Sequence, residues 1–379
     1  MALPDGLPYY PRHELLESVL RVLLAGQNVT LFAPRRHGKT LFIREELLPA
    51  VEEQGWFAAR VDLWRNRAKP ALGLVEGLEA VAYATKAADR GLFGRKMDLR
   101  RMTTTFRSPG VEIQGQWEPA VQRPQIAAET TLENRLANAL HLIADHGTHA
   151  LLALDEFQAL AQAGNENFVA AFRTALQDVD GRLSVIFTGS SRDGLNNLFR
   201  KAKAPLFRSA TAVPMAELGD GFVDNRADYL RDIAGLEVDR EALKLLFQKL
   251  LRTPLFLNEI VVGMLTRGDA DVEKAMAEWL ADKQANEYQD VLSGLRPVDL
   301  AVVNWLTESG QQSVYSAEAR EHMREFMGAT QAPTAAVVQS AIRRLGKADI
   351  VDPMGTYGSY QLADQGMQIV LQSQIGTDA

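Results

Sequence analysis

Two short runs carry side chains that could do chemistry. The first is Ala33-Pro34-Arg35-Arg36-His37-Gly38-Lys39-Thr40-Leu41, placed between the apolar run Val29-Thr30-Leu31-Phe32 and a helix-like stretch from Leu41 to Leu48. A strand, a loop and then Gly-Lys-Thr at a helix start is the layout of a phosphate-binding loop. Successive loop N–H groups and the helix N-terminus face an anion there. On this reading Ala33 to Leu41 form the ATP-binding cradle. Lys39 reaches the β- and γ-phosphates, and Thr40 turns its hydroxyl towards Mg²⁺. Ala33 stands where G-x-x-x-x-G-K-[ST] has its first glycine, so the backbone must keep φ negative at that point. The plainer alternative is a basic loop ahead of an amphipathic helix.

The second run is Ala150-Leu151-Leu152-Ala153-Leu154-Asp155-Glu156, about 115 residues after Lys39. An unbroken apolar run suits a strand buried on both faces of a parallel sheet. Ligands of open α/β sheets bind at the carboxyl ends of such strands. Asp155 is then expected to hold the Mg²⁺ shell, and Glu156 to act as general base on the attacking water. The alternative is a buried strand that ends in a solvated acidic turn.

The elements that must position these residues can be read from spacing. Leu15, Leu16, Val19, Leu20, Leu23 and Leu24 recur at helical intervals before the first strand. Trp56–Leu63 reads as a strand, and a helix follows from about Pro70 to Lys86. Thr130-x-x-Glu133 reads as a capping box opening a helix through Leu136, Leu140 and Ile143. Phe168–Leu176 is a further helix, Leu183–Phe187 a buried strand, and Ala210–Val213 a fifth strand. Alternating strands and helices predict an α/β fold with a parallel, doubly wound sheet over residues 1–222. Residues 223–291 carry only helical periodicity and read as a helical lid.

Residues 292–379 read as a winged helix-turn-helix domain. Helices are expected at Val298–Thr307, Ala317–Met327 and Thr334–Lys347, then a hairpin from Ile350 to Leu362. Gln339, Ser340, Arg343, Arg344 and Lys347 make a plausible groove-facing set. Residues 293–379 nevertheless hold six Lys/Arg against nine Asp/Glu, so the basic footprint of a DNA binder is missing. A protein partner is the other occupant this domain could take.

One segment stands apart. Residues 85–124 carry eight basic residues against four acidic ones inside a chain of net charge −7. Gly91, Gly94, Pro109, Gly110 and Gly115 break it up, and Val111–Trp117 alternates like a strand. It reads as a basic insertion, either a solvated loop or an element touching nucleic acid or a neighbouring subunit.

Composition narrows the remaining options. With no cysteine in 379 residues, disulfides, thiolate zinc sites and cysteine nucleophiles are excluded. The six histidines show no metal-binding spacing. No apolar run is long enough to span a bilayer, and Met1–Tyr10 lacks the pattern of a secretory signal, so a cytoplasmic location is expected.

Taken together, the chain resembles the AAA+/STAND-type P-loop ATPases, and among them the archaeal-type ATPase group that also occurs in bacteria. The residues that carry the resemblance are Arg12-His13-Glu14-Leu15, the loop Ala33–Thr40, Leu154-Asp155-Glu156, Gly189-Ser190-Ser191 and Pro205-Leu206-Phe207-Arg208. A Gly-x-Pro that opens a lid helix in that group is Arg252-Thr253-Pro254 here. The outline is similar also to origin-recognition ATPases, which carry a C-terminal winged helix. The resemblance implies that Ser190 or Thr188 senses the γ-phosphate or the attacking water. It implies too that Arg208 is an arginine finger acting on a neighbour's nucleotide in a homo-oligomer. The expected function is ATP hydrolysis coupled to assembly and to DNA or partner binding. The alternative is an ATP-binding regulatory switch with little turnover, whose winged helix docks a protein.

Overall fold

The structure is a computed structural model and describes residues 6–89, 131–309, 313–354 and 358–375. The chain divides into two compact units. One holds Pro11–Pro34 and Lys39–Met215; the other holds Met1–Tyr10, Arg35–Gly38 and Ala216–Ala379.

The first unit is built on five strands: β1 (Val29–Phe32), β2 (Phe57–Asp62), β3 (Ala150–Asp155), β4 (Leu183–Gly189) and β5 (Thr211–Pro214). They lie in the order β2-β3-β4-β1-β5, and every adjacent pair is parallel. The apolar run Ala150–Leu154 of β3 finds its reason in two cores. Ala150, Leu152 and Leu154 enter one cluster, while Leu151 and Ala153 enter the other, as period-2 alternation requires. Each of the three leucines is fully buried, a gain of about 1.5–3 kcal/mol apiece over exposure.

Helices cover both faces. On one side lie α1 (His13–Leu24), α2 (Lys39–Phe42) and α3 (Leu48–Glu53), the last two joined by a π turn over Ile43–Leu47. On the other lie α4 (Pro70–Asp89), α5 (Leu132–Ala144), α6 (Glu166–Asp178) and α7 (Arg192–Phe199). Helix α4 approaches β2 so closely that a Cβ at Gly77 would sit 2.4 Å from Val61 Cγ1, which leaves room for glycine alone. Arg135 of α5 binds Glu79 of α4 through two bonds of 2.8 Å.

Two sequence expectations need correction here. The cap of α5 is Thr131, whose hydroxyl accepts from Asn134 N, so Asn134 rather than Glu133 occupies the third helical position and the reciprocal box is not made. Helix α4 runs to Asp89, so the first residues assigned to the basic insertion are helical; the rest of it, with the proposed strand Val111–Trp117, lies outside the described residues.

The second unit is helical. It contains α8 (Asp220–Ala234), α9 (Arg240–Lys249), α10 (Pro254–Arg267), α11 (Val272–Lys283) and α12 (Gln289–Ser293), then α13 (Pro297–Ser309), α14 (Ala317–Met327) and α15 (Ala335–Lys347). Strands β6 (Val351–Pro353) and β7 (Tyr360–Leu362) pair antiparallel, and Ser313 bridges to Ser359 beside them. Helices α13, α14 and α15 precede this hairpin along the chain. Two helices were not anticipated: α7, and α16 (Gln365–Ile375), a short apolar run that buries Met367, Ile369 and Val370.

Candidate functional site

In the sheet unit, parallel pairing carries the ends of β1, β3 and β4 to one edge. Lys39 opens α2 directly after the loop. It is almost fully buried, and its Nζ donates to Ala33 O at 2.6 Å and Pro34 O at 3.0 Å. Ala33 keeps a negative φ, as its Cβ demands. The next residue, Thr40, donates its hydroxyl to Asp155 Oδ2 at 2.8 Å, so two side chains 115 positions apart in sequence meet at the loop. Leu41 is partly buried in α2.

Asp155 is the most heavily bonded carboxylate of the site. Its Oδ2 also accepts from Arg60 Nη2 at 2.8 Å and Nε at 3.2 Å. Its Oδ1 accepts from Thr188 Oγ1 at 2.5 Å and Glu156 N at 3.1 Å. Burial alone would raise its pKa, but the Arg60 guanidinium and the hydroxyls of Thr188 and Thr40 outweigh that and hold it below the ordinary carboxylate value. Arg60 is correspondingly pushed up: burial opposes its charge, and Asp155 and Asp62 overcome the opposition.

Glu156 adopts a left-handed backbone, φ 57° and ψ 38°, at the start of a 3₁₀ turn over Phe157–Ala161. A non-glycine residue there costs roughly 1–2 kcal/mol, so the surroundings over-determine the conformation. Its Oε2 accepts from Ser190 Oγ at 2.7 Å. Gln158 Nε2 donates to Ser190 Oγ at 3.1 Å and to the same Glu156 oxygen, closing a ring of three side chains.

The structure therefore brings together Lys39, Thr40, Asp155, Glu156, Thr188 and Ser190. It does not bring Arg208 to them. Arg208 is exposed, takes a left-handed φ of 59°, and stacks over Phe207 at 5.1 Å. It precedes edge strand β5, whose Thr211 pairs with Val29 at the start of β1, whereas the loop leaves β1 at its far end. Gln158 and Arg60 were missed in the sequence reading. The signal for Arg60 was an arginine in the middle of an otherwise buried strand, where cations occur only when paired.

The tip of the loop, Arg35–Gly38, belongs to the helical unit. Arg36 has φ 68°, and its Nη1 donates to Asp364 Oδ1 at 2.5 Å and Tyr288 Oη at 3.4 Å. Its guanidinium lies 5.1 Å from the Phe256 ring. His37 is buried, with Nε2 3.1 Å from Gln365 Oε1, which also accepts from Thr253 at 2.9 Å. Asp364 caps α16 through Gly366 N at 2.7 Å. Tyr288 is raised above its usual pKa, first by burial and then by Asp364. Gly38 takes φ 88° with open space where a Cβ would lie.

A hard cation suits Thr40 and Asp155, both oxygen donors. Among the described residues no group of three or more His, Cys, Asp or Glu gathers as a metal site, so such an ion would draw its other ligands from phosphate and water.

On α15, Gln339, Ser340, Arg343 and Lys347 are exposed. Arg344 is not available in the same way. It binds the buried Asp299 of α13 through Nη2 at 2.5 Å and Nε at 3.1 Å.

No family model matches the chain, and no curated protein matches it. Solved structures do. The Walker-type ATPase PABY2304 of Pyrococcus abyssi aligns with a TM-score of 0.60 at 16% identity, covering 96% of each chain. The ADP form of the Aeropyrum pernix ORC2 protein aligns with a TM-score of 0.51 at 12% identity, covering 99% of this chain and 96% of that one. At such identities the likeness shows the fold, the mixed α/β arrangement of P-loop NTPases.

Proposed function

We propose that this chain binds Mg²⁺–ATP and hydrolyses it. The carrying observation is the 2.8 Å contact between Thr40 and Asp155 beside a buried Lys39 at a helix start. Lys39 neutralises the β- and γ-phosphates, and the loop and helix N–H groups bind their oxygens. Thr40 and Asp155 would hold the metal. There it would supply positive charge against the negative charge that develops on the phosphate oxygens. Glu156 takes a proton from the attacking water. Ser190 and Gln158 fix the Glu156 carboxylate and so aim it. Arg208, exposed and remote from Lys39, is suited to a neighbouring copy's nucleotide rather than its own.

In this reading residues 1–222 are the ATPase core, 223–291 the lid and 292–379 a winged-helix module that engages DNA or a protein. The tie between Arg344 and Asp299 and the acidic balance of that module favour a protein partner. A second reading, nucleotide binding with little turnover, is favoured by one observation: Glu156 is engaged by two donors and Asp155 by Arg60. Steady-state ATP turnover, measured with and without duplex DNA, decides between them. Turnover beyond contaminant levels supports the enzyme. Tight ATP binding with none supports the switch. As a check on the site, Lys39→Ala should abolish ATP binding in a folded protein; wild-type affinity in that variant would sink the assignment.

A further inference from the structure

Arg60 has a place in the site that neutralising one buried acid does not explain. Asp155 already receives hydrogen bonds from Thr40, Thr188 and Glu156 N. Arg60 adds two more and uses the same Nη2 to reach Asp62 Oδ2 at 2.7 Å. The guanidinium thus spans two carboxylates. Asp62 pairs in register with Asp155 across β2 and β3, so both lie on one face of the sheet with Arg60 between. Asp62 is also a fixed acceptor, because its Oδ1 takes Trp64 N at 3.0 Å at the start of the next turn. Its side chain is 40% exposed, against 2% for Asp155.

We infer that Arg60 competes with the divalent cation for Asp155, and that Asp62 is the carboxylate that receives the guanidinium when the cation–nucleotide takes Asp155. This rests on the reading of Thr40 and Asp155 as metal-site residues. Asp155 Oδ2 is the oxygen that Thr40 touches, and it is the one Arg60 occupies. A guanidinium and a divalent cation on one oxygen would repel strongly at that separation. A shift of Arg60 wholly onto Asp62, which it already bonds, lessens the repulsion and keeps the guanidinium paired. The residue therefore sets how much free Mg²⁺ the site needs, without touching the reacting atoms.

The test is binding of a fluorescent, non-hydrolysable ATP analogue, titrated with Mg²⁺ and repeated in EDTA. In Arg60→Met the Mg²⁺ half-saturation should fall roughly tenfold or more, since a cation beside the ligand oxygen is gone. Metal-free affinity should hardly change. In Asp62→Asn the half-saturation should rise several-fold, because the guanidinium loses its second anchor. Arg60→Lys, which keeps charge but cannot span both acids, should shift less than Met and serves if the Met variant does not fold. An unchanged or raised half-saturation in both Arg60 variants overturns the proposal, as does a lowered one in Asp62→Asn. Failure of the wild type to bind the analogue at any Mg²⁺ concentration would instead overturn the reading of the site itself.

Discussion

At the scale of single residues, Glu156 gives the sharpest test of chemistry against binding. Its carboxylate is held by Ser190 and Gln158 on a backbone turn that few non-glycine residues adopt. Glu156→Gln keeps the size and removes the carboxylate proposed as the base. ATP binding should persist, while turnover should fall by roughly 10²-fold or more, the usual weight of a general base. Turnover at the wild-type rate would place the base elsewhere. Much of this site was legible from residue types alone, because Gly-Lys-Thr and Asp-Glu each follow an apolar strand. Gln158 and Arg60 were not. A glutamine two positions after an acid has no distinctive spacing, and an arginine in a strand declares its partner only once the register is known. Arg344 failed in the opposite sense: its position on the helix suggested a groove contact, but a buried acid on α13 claims it.

Among the elements, β3 and β4 were legible because burial on both faces leaves a mark in composition. The cap of α5 was missed by one position, since adjacent threonines offer the same hydroxyl and only the backbone decides between them. Helix α16 escaped because its glycine at the second position and its short apolar run look alike in a strand or a loop. The sheet also carries a pH-sensitive contact at the end opposite the loop. His149, just before β3, packs at a tilt on Trp56, ring centroids 4.1 Å apart, and meets the buried Ser184 of β4 at 2.9 Å. Burial lowers its pKa below 6.5, only partly opposed by a hydrogen bond with the Gly181 backbone. The unfolded chain therefore takes up the proton more readily. Stability is complete above the unfolded value and is lost as pH falls through the lower folded one. Urea midpoints between pH 8 and pH 5 should drop for the wild type and drop less for His149→Gln. Parallel pH profiles for the two proteins would exclude His149 as the cause.

For the whole molecule, the test is whether one chain completes its own site. Arg208 lies before the edge strand, at the opposite end of the sheet from Lys39. If it serves a neighbour, Arg208→Ala and Glu156→Gln should each be inactive, yet regain partial turnover when mixed. Interfaces of one orientation then join an intact arginine to an intact base. A mixture as inactive as its components, although both assemble, would dismiss the shared site. A separate consequence follows from the partners of Arg36 and His37. Asp364 and Gln365 each lie 328 positions further along the chain. Synthesis runs from the N-terminus at about 5–20 residues per second, so those partners follow the loop tip by roughly 16–66 s. Throughout that interval the nascent chain can already hold β1, Lys39 and Thr40, and later Asp155, while Arg36 and His37 still await Asp364 and Gln365. A loop translated early is thus among the last parts of the protein to acquire its full set of contacts.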